Sequence, residues 1–150
     1  MMEIGKVIST FSATKLDKGL PRPKKDKLNL INDFGIENDK FAGKDLDKTV
    51  MIVGTFTYDM AKNENINLKF GSLGENILFD FNPHNYKVGT QFKIGTAIIE
   101  ITENCTICNH LSKFDDDLPI LIKDCRGIYC KIINSGVVKD NDTILLYKKG

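Results

Sequence analysis

The segment Ala97–Thr102, which reads AIIEIT, decides the fold class of this chain. Successive side chains of a β-strand point to opposite faces, so residues two apart share a face. Ala97, Ile99 and Ile101 then form a uniformly apolar face, while the other face carries Glu100. The pattern predicts a strand that is buried on one side.

Similar short β-rich runs recur on both sides of this segment and end at Gly, Asn, Asp or Pro. Such punctuation is typical of a barrel or a sandwich, not of a helical bundle. Turn residues at Gly95-Thr96 and Asn134-Ser135-Gly136 predict an antiparallel meander in the C-terminal half. Two short helices are expected, at Phe56–Lys62 and Pro119–Lys123. The other predicted strands are Ile4–Phe11, Lys27–Ile31, Thr49–Val53, Asn76–Phe81, Gln91–Ile94, Tyr129–Asn134 and Thr143–Tyr147.

The chain has 150 residues, of which 41% are apolar and 27% charged. This size and balance predict a single domain over residues 1–150. The net charge of +1 gives no general electrostatic reason to bind nucleic acid or an anionic membrane. No apolar run approaches the ~20 residues that span a bilayer, and Glu3 and Lys6 interrupt the start of the chain, where a signal peptide would be apolar. We therefore expect a soluble, cytoplasmic protein with no nucleic-acid or membrane partner and with reduced cysteines.

The densest group of reactive side chains is Glu103–His110, directly after the strand. A thiol at a strand end lies at the mouth of a sheet or barrel, where a ligand can reach it. Cys108 fits this position, and its thiolate could ligate a soft metal or carry sulfur as a persulfide. His110 could lower the pKa of that thiol by supplying positive charge, although a plain surface position is the simpler interpretation. His84 is expected in a solvated loop.

Two other interpretations of the cysteines stay open. Cys105 and Cys108 could form a dithiol redox couple, but that motif usually opens a helix in a βαβ unit, which this pattern does not predict. A structural zinc site would add Cys125 and Cys130, whose spacing is wider than that of a common zinc ribbon. Strand alternation also predicts Cys130 as a core residue. The zinc interpretation makes the chain a non-catalytic binding or scaffold module.

Among the cations, Arg126 is the strongest candidate for an anion site. It precedes a predicted strand and offers a forked donor on ordered backbone. The earlier basic stretch that includes Arg22 and Lys24 reads instead as a solvated loop. The sequence contains no Gly-rich phosphate fingerprint, G-x-S-x-G or H-E-x-x-H motif, which excludes the commonest nucleotide, esterase and zinc-protease classes.

A series of short motifs, in this order and over nearly the whole chain, resembles the MOSC domain, the module named for the C-terminal region of molybdenum-cofactor sulfurases. The small stand-alone bacterial members are the most similar type. No single motif is decisive, but their order and spacing are specific. The motifs are Pro23-Lys24, Gly35–Gly43 (GIENDKFAG), Gly71–Ile77 (GSLGENI), Val88-Gly89-Thr90, Ile94-Gly95, Glu100–Cys108, Arg126-Gly127-Ile128 and Gly136…Asp142.

The resemblance implies a mainly β fold, a compact antiparallel β-barrel with a few short helices. It also implies that Cys108 is the family's pocket cysteine, which acts as catalytic residue and as ligand to molybdenum in the amidoxime-reducing relatives. In the sulfurases this domain is thought to bind the molybdenum cofactor while sulfur is delivered. Stand-alone bacterial members are connected with detoxification of N-hydroxylated bases.

On this resemblance, the chain binds the molybdenum cofactor (molybdopterin) or carries sulfur for it. Arg126 and Lys24 would hold the phosphate of the cofactor, and Asp39, Glu75 and Asn76 would complete the pocket rim. The implied partners are a sulfur donor or acceptor protein and, for a reductase component, an electron-transfer protein.

Two departures limit what the resemblance implies. The family commonly reads Gly-Ile-Glu-Gly-Asp followed by His, whereas this chain has Asn38 for that Gly and Phe41 where His is usual. A polar contact at the rim is therefore expected to be missing. Full sulfurases also contain a separate pyridoxal-phosphate domain, for which 150 residues have no room. The chain alone is not expected to bind pyridoxal phosphate or to be a cysteine desulfurase.

Overall fold

The computed structural model describes residues 1–106 and 109–150 and contains eleven β-strands within that part of the chain. Two helices and three short 3-10 segments connect them. The strands are β1 (Met2–Phe11), β2 (Lys24–Lys25), β3 (Lys27–Ile31), β4 (Gly35–Ile36), β5 (Val50–Gly54), β6 (Ile77–Phe79), β7 (Gln91–Ile94), β8 (Ala97–Asn104), β9 (Ile128–Asn134), β10 (Gly136–Lys139) and β11 (Thr143–Lys148). The helices are α1 (Thr55–Asn63) and α2 (Leu118–Leu121), and the 3-10 segments are Leu46–Lys48, Pro83–Asn85 and Asn109–Lys113.

Seven of the strands form a closed barrel, in the order β1-β11-β7-β8-β9-β5-β6 and back to β1. The ring closes because β1 is long enough to pair with two strands in succession. Its first half pairs with β11 from Met2 to Lys6, and its second half pairs with β6 from Val7 to Thr10. Only β5 and β6 run parallel, so the barrel is mostly antiparallel, as predicted.

A second sheet of three strands, in the order β10-β3-β4, packs against the barrel. Leu28 and Leu30 of β3 and Val138 of β10 belong to the same buried cluster as the barrel residues Ile99 and Ile101. The small sheet and the barrel interior therefore share one hydrophobic core.

The outer side of the wall around β5 carries a second hydrophobic cluster. Residues Val50 and Ile52 point into the barrel core, whereas Met51 and Val53 point into the second cluster, so this strand is buried on both faces. Helix α1 covers the second cluster with Tyr58 and Ala61, and α2 covers it with Leu118. Within the described part of the chain, no helix has the length and apolarity needed to cross a membrane.

The sequence-based prediction of a β-barrel is confirmed, and all eight predicted strands and both helices are present, Lys27–Ile31 and Gln91–Ile94 with the predicted bounds and the others with shifted ends. The predicted faces of Ala97–Thr102 are also confirmed, because Ala97, Ile99 and Ile101 are at most 1% exposed. Three short strands, β2, β4 and β10, were not predicted, because runs of two to four residues carry too little alternation to be recognised.

The predicted meander is wrong after β9. The Asn134-Ser135-Gly136 stretch does not fold β10 back onto β9; β10 instead leaves the barrel and pairs with β3. Side chain and backbone hydrogen bonds tie this stretch to the turn between β7 and β8, where Asn134 Nδ2 donates to Thr96 O at 2.7 Å and Thr96 Oγ1 donates to Ser135 O at 3.1 Å. A Cβ at Gly136 would lie 2.4 Å from Ala97 N. Gly136 is therefore required for a close crossing and not for a hairpin turn.

Truncation of Ile99 tests the barrel core. Ile99→Ala removes a side chain with 0% exposure, and we expect it to lower the free energy of unfolding by about 2–5 kcal/mol. Ile8 is a matched control, since it is also a strand isoleucine but is 38% exposed, and Ile8→Ala should cost less than about 1 kcal/mol. Urea unfolding measures both variants, and equal losses would contradict the assignment of Ile99 to the interior.

Candidate functional site

The chain contains only two arginines, and the fold brings both of them to one cavity. Arg22 lies in the loop before β2, and Arg126 lies two residues before β9. The side chain of Arg22 is 13% exposed and Arg126 is 2% exposed. We call this space, of about 240 Å³, the arginine cavity; its other walls include Cys105 and His110.

The loop Gly71–Gly74 holds both arginines in place. The Arg22 backbone N–H donates to Gly71 O at 3.0 Å, and Arg126 Nη1 donates to Leu73 O. Gly74 has φ +82°, a conformation that favours glycine. A Cβ there would lie 3.6 Å from Arg126 Nη2 and 3.8 Å from Arg22 Nε. The two guanidinium groups therefore face the same glycine.

Each arginine keeps one buried nitrogen without a hydrogen-bond partner in the described part of the chain. These atoms are Arg22 Nη1 and Arg126 Nε. Burial lowers the pKa of Arg22, and the nearby charge of Arg126 lowers it further, while Asp39 and Glu75 oppose both effects. The two guanidinium groups make the cavity electropositive. Because a buried donor without an acceptor is destabilising, the cavity is suited to an anion that accepts from both nitrogens.

Asp39, a predicted rim residue, is a buried partner of Arg22. Its Oδ1 accepts from Ser12 Oγ at 2.7 Å and lies 3.8 Å from Arg22 Nη1, while its Oδ2 accepts from the Phe41 backbone N–H at 3.0 Å. Both carboxylate oxygens are thus occupied by the protein. Asp39 orients Arg22 and the following loop, and it does not line the arginine cavity.

Glu75 lies behind the rim rather than on it. It is 0% exposed, and its Oε2 accepts from the Tyr58 hydroxyl at 2.6 Å and from the Gly71 N–H at 3.2 Å. Burial raises the pKa of Glu75, while these hydrogen bonds and the charge of Arg126 oppose the shift. Glu75 therefore supports the Gly71–Gly74 loop from inside.

Both ends of the Asn76 amide form hydrogen bonds within the barrel wall. Its Oδ1 accepts from Met51 N at 2.9 Å, and its Nδ2 donates to Phe11 O at 3.1 Å. The side chain thus joins β5 to β1 next to β6. Asn76 also lines a second cavity, but both polar ends of its amide are already hydrogen-bonded to the backbone.

The second cavity, of about 310 Å³, adjoins the first, and we call it the aromatic cavity. Arg22, Phe41, Met51 and Tyr129 line both cavities. Phe41 stands where the family usually has His, and the Arg22 guanidinium lies 5.1 Å from the centre of its ring. The polar contact at the rim is therefore replaced by a cation–π contact between Arg22 and Phe41.

Tyr129 adds a neutral hydrogen-bonding group to the shared wall. The Cys105 thiol donates to its hydroxyl at 3.6 Å, and Lys48 Nζ lies 5.3 Å from the centre of its ring. Burial raises the pKa of Tyr129 to about 12. The phenol stays protonated at neutral pH and can donate to a bound anion.

Two of the predicted site residues lie elsewhere. Lys24 is exposed, and its Nζ lies 2.8 Å from Asp140 Oδ1 and 2.7 Å from Lys25 O. It lines neither of the two cavities. Cys108, the predicted catalytic residue and metal ligand, lies outside the described residues. Cys105 and His110, on either side of it in the sequence, both line the arginine cavity.

His110 is a neutral partner of Arg126 and not a source of positive charge. Arg126 Nη2 lies 3.1 Å from His110 Nε2, so the arginine donates and the imidazole nitrogen accepts. Burial lowers the pKa of His110, and the charges of Arg126 and Lys113 lower it further. His84 also departs from the expected solvated loop, because its Nε2 is buried and burial lowers its pKa.

The described cysteines do not support a four-cysteine zinc site. Cys130 is 0% exposed inside the barrel core, whereas Cys105 and Cys125 lie in the second cluster. Cys125 Sγ contacts Met60 Sδ at 3.4 Å. Residues 1–106 and 109–150 contain no group of three or more His, Cys, Asp or Glu side chains able to hold a metal.

Sequence reasoning missed Arg22, Phe41 and Tyr129 as site residues. Arg22 was overlooked because it neighbours several lysines and so resembles a solvated loop. The signal that could have found it is composition, since a chain with 21 Lys and Arg uses arginine at only two positions. Arginine is chosen over lysine where a fixed, forked donor is needed.

The pH dependence of His110 tests its contact with Arg126. A lowered pKa means that the unfolded chain binds the proton more readily, so stability falls as the pH decreases through about 6.5. In NMR titrations we expect Arg126→Gln to raise the pKa of His110 and leave that of His84 unchanged. An unchanged His110 titration in this variant would rule out the contact.

The comparisons with solved structures identify the fold. The YuaD protein of Bacillus subtilis is 15% identical, with a TM-score of 0.77, and the match covers 95% of this chain and 96% of that one. YiiM of Escherichia coli is 18% identical, with a TM-score of 0.72, over 97% of this chain and 71% of that one. YiiM of Geobacillus stearothermophilus is 15% identical, with a TM-score of 0.69, over 98% and 75%. No curated protein matches the chain.

The comparison with family models identifies the family. The MOSC domain model matches residues 38–145, which is well over half of the chain and includes Arg126, Tyr129 and the Gly71–Gly74 loop. The prediction from the sequence motifs is thereby confirmed, and the chain belongs to the MOSC domain family.

Proposed function

We propose that this MOSC domain binds the molybdenum cofactor, with the anionic group of the cofactor in the arginine cavity. The observation that carries the proposal is the convergence of the only two arginines of the chain on one cavity, each with a buried nitrogen that makes no hydrogen bond to a described residue. The MOSC family is associated with this cofactor.

The residues present fit a phosphorylated ligand. Arg22 Nη1 and Arg126 Nε are donors without acceptors in the described structure, and a phosphate oxygen is an acceptor that forms strong bonds with guanidinium groups. The carboxyl groups of Asp39 and Glu75 lie behind the arginines and do not line the cavity. A ligand anion would supply a missing hydrogen-bond acceptor to Arg126 Nε, and at Arg22 Nη1 it would add to the 3.8 Å ion pair with Asp39.

Other residues of the site keep the donors oriented. His110, as a neutral acceptor, fixes Arg126 Nη2 at 3.1 Å, and Asp39 fixes Arg22. Tyr129 offers a protonated hydroxyl on the wall between the two cavities. When bound, the cofactor supplies redox-active molybdenum held by dithiolene sulfur.

Cys108 is proposed as the thiol of this site. Its thiolate would be a soft ligand for the metal or a nucleophile that accepts sulfane sulfur as a persulfide. Either role needs a partner: a sulfur donor or acceptor protein for sulfur transfer, or an electron-transfer protein for reduction of N-hydroxylated compounds. The chain is not proposed to bind pyridoxal phosphate or to act as a cysteine desulfurase by itself.

Removal of Arg126 tests the anion site. Arg126→Ala should weaken binding of the phosphorylated cofactor by about 1.5–3 kcal/mol, because a charge-assisted hydrogen bond is lost. Lys24→Ala is the control: it also removes one positive charge, but at a position that lines neither cavity. Equilibrium binding by pterin fluorescence measures both, and wild-type affinity in the Arg126 variant would place the phosphate elsewhere.

Removal of Cys108 tests the thiol. We expect Cys108→Ser to abolish loading with the cofactor or with sulfur while thermal unfolding stays nearly unchanged, because a soft ligand is lost but little volume. The measurements are molybdenum and pterin content after anaerobic expression in a cofactor-producing host, and a persulfide mass increase of about 32 Da.

Cys125→Ser controls for the loss of any one thiol and should load like the wild type. Normal loading of the Cys108 variant would remove the proposed central role of that residue. Stoichiometric zinc that is lost together with the fold would favour the scaffold alternative instead.

A further inference from the structure

A large open groove beside the candidate site has more lysines than carboxylates in its lining. Its volume is about 910 Å³, and it is lined by lysines from three separate segments. Lys15 follows β1, Lys25 and Lys27 belong to β2 and β3, and Lys40 and Lys44 follow β4. We call the surface formed by these five residues the lysine groove.

None of these five lysines forms an ion pair with a described carboxylate. Among the described residues, no carboxylate lies within ion-pair distance of any of the five. Four lysines outside the groove form ion pairs in the described structure: Lys6, Lys24, Lys48 and Lys131. The groove therefore has a local positive field that the net charge of +1 does not reveal.

The acidic residues near the groove do not cancel this field. Asp39 is 7% exposed and its oxygens are occupied by Ser12, Phe41 and Arg22. Asp17 is close enough to Lys25 and Lys40 to interact with their charges, so it offsets part of the field, and its Oδ2 also accepts from the backbone and the hydroxyl of Thr14.

Glu37 lines the groove and is exposed. With Asp39 it makes two carboxylates in the lining against five ammonium groups, and its Oε2 accepts from Asn29 Nδ2 at 3.4 Å. The balance within the groove therefore stays positive.

The groove also offers apolar contacts beside the lysines. Leu16 is 91% exposed and Phe34 is 42% exposed, and both line the groove. A ligand that matches this surface carries several negative charges and some apolar side chains. An acidic protein segment has both, whereas a nucleic-acid strand usually meets arginines and stacked aromatic rings, and the described lining has no arginine and only one aromatic ring.

The groove is continuous with the candidate site. Lys40 lines both the groove and the arginine cavity, and Lys44 lines both the groove and the aromatic cavity. A partner seated in the groove would therefore lie beside the site.

From these observations we propose that the lysine groove is the docking surface for an acidic segment of a partner protein. The binding does not depend on the molybdenum cofactor, so it can be tested on the chain alone. Exposed charges of this kind set the association rate and the salt dependence of a complex.

The probe is a short fluorescein-labelled peptide rich in glutamate with interspersed leucines. We expect its binding, followed by fluorescence anisotropy, to weaken about tenfold in Lys15→Glu/Lys27→Glu. Lys69→Glu/Lys87→Glu is the matched control, because it makes the same change in net charge at exposed lysines outside the groove and should bind like the wild type. Circular dichroism checks that both variants fold.

Three results would overturn the proposal. Equal losses in the two double variants would show that only net charge matters. Unchanged binding in the groove variant would place the peptide elsewhere. Tighter binding of a single-stranded oligothymidylate of equal charge, lost in the same groove variant, would assign the surface to nucleic acid.

Loss of cofactor binding in Arg126→Ala with normal peptide binding would separate this proposal from the proposed function.

Discussion

The burial of two guanidinium groups is the constraint on which the candidate site depends. A buried cation is tolerated only when nearby groups compensate its charge and satisfy its donors. In this chain Asp39 supplies opposing charge to Arg22, and the carbonyl of Leu73 accepts from Arg126. The compensation is incomplete, since one buried nitrogen of each arginine makes no hydrogen bond to a described residue. A site arranged in this way is prepared for an anion before the anion arrives.

The barrel makes that arrangement rigid. The site lies on the outer side of the wall formed by β5 and β9, where Met51 and Tyr129 point away from the barrel core. Asn76 ties β5 to β1 from within the same wall. The loop with Arg22 is fixed to β1 and β2, and the loop with Arg126 runs from α2 into β9. Small movements of these loops would separate the guanidinium groups, so the closed ring of strands is part of the binding site.

Much of the fold could be predicted from the sequence, and less of the site. The alternation in Ala97–Thr102 predicts both the strand and its buried face, because successive side chains of a β-strand point to opposite faces. The motif around Arg126 predicts an anion site near that residue. Sequence patterns could not show that Glu75 turns inward to Tyr58, because the direction of one side chain depends on contacts far apart in the chain. The departure of β10 from the meander was missed for the same reason.

Asn38 shows how a departure from the family pattern can leave the structure unchanged. The family commonly has Gly at this position, and Asn38 has φ +67°, a conformation that Gly and Asn tolerate better than other residues. The exchange of Phe41 for His is different, because it replaces a polar group by a ring that Arg22, Lys40 and Lys44 approach. Asn38 in place of Gly preserves the backbone conformation, whereas Phe41 in place of His changes the chemistry of the wall shared by the arginine and aromatic cavities.

Cys130 has a consequence for how the molecule can be studied. Its thiol is enclosed by the strands of the barrel, and burial raises its pKa. Alkylating reagents attack thiolates, so this sulfur reacts only after neighbouring strands separate. The residue is thereby a natural reporter of breathing motions in the ring, present without any added label.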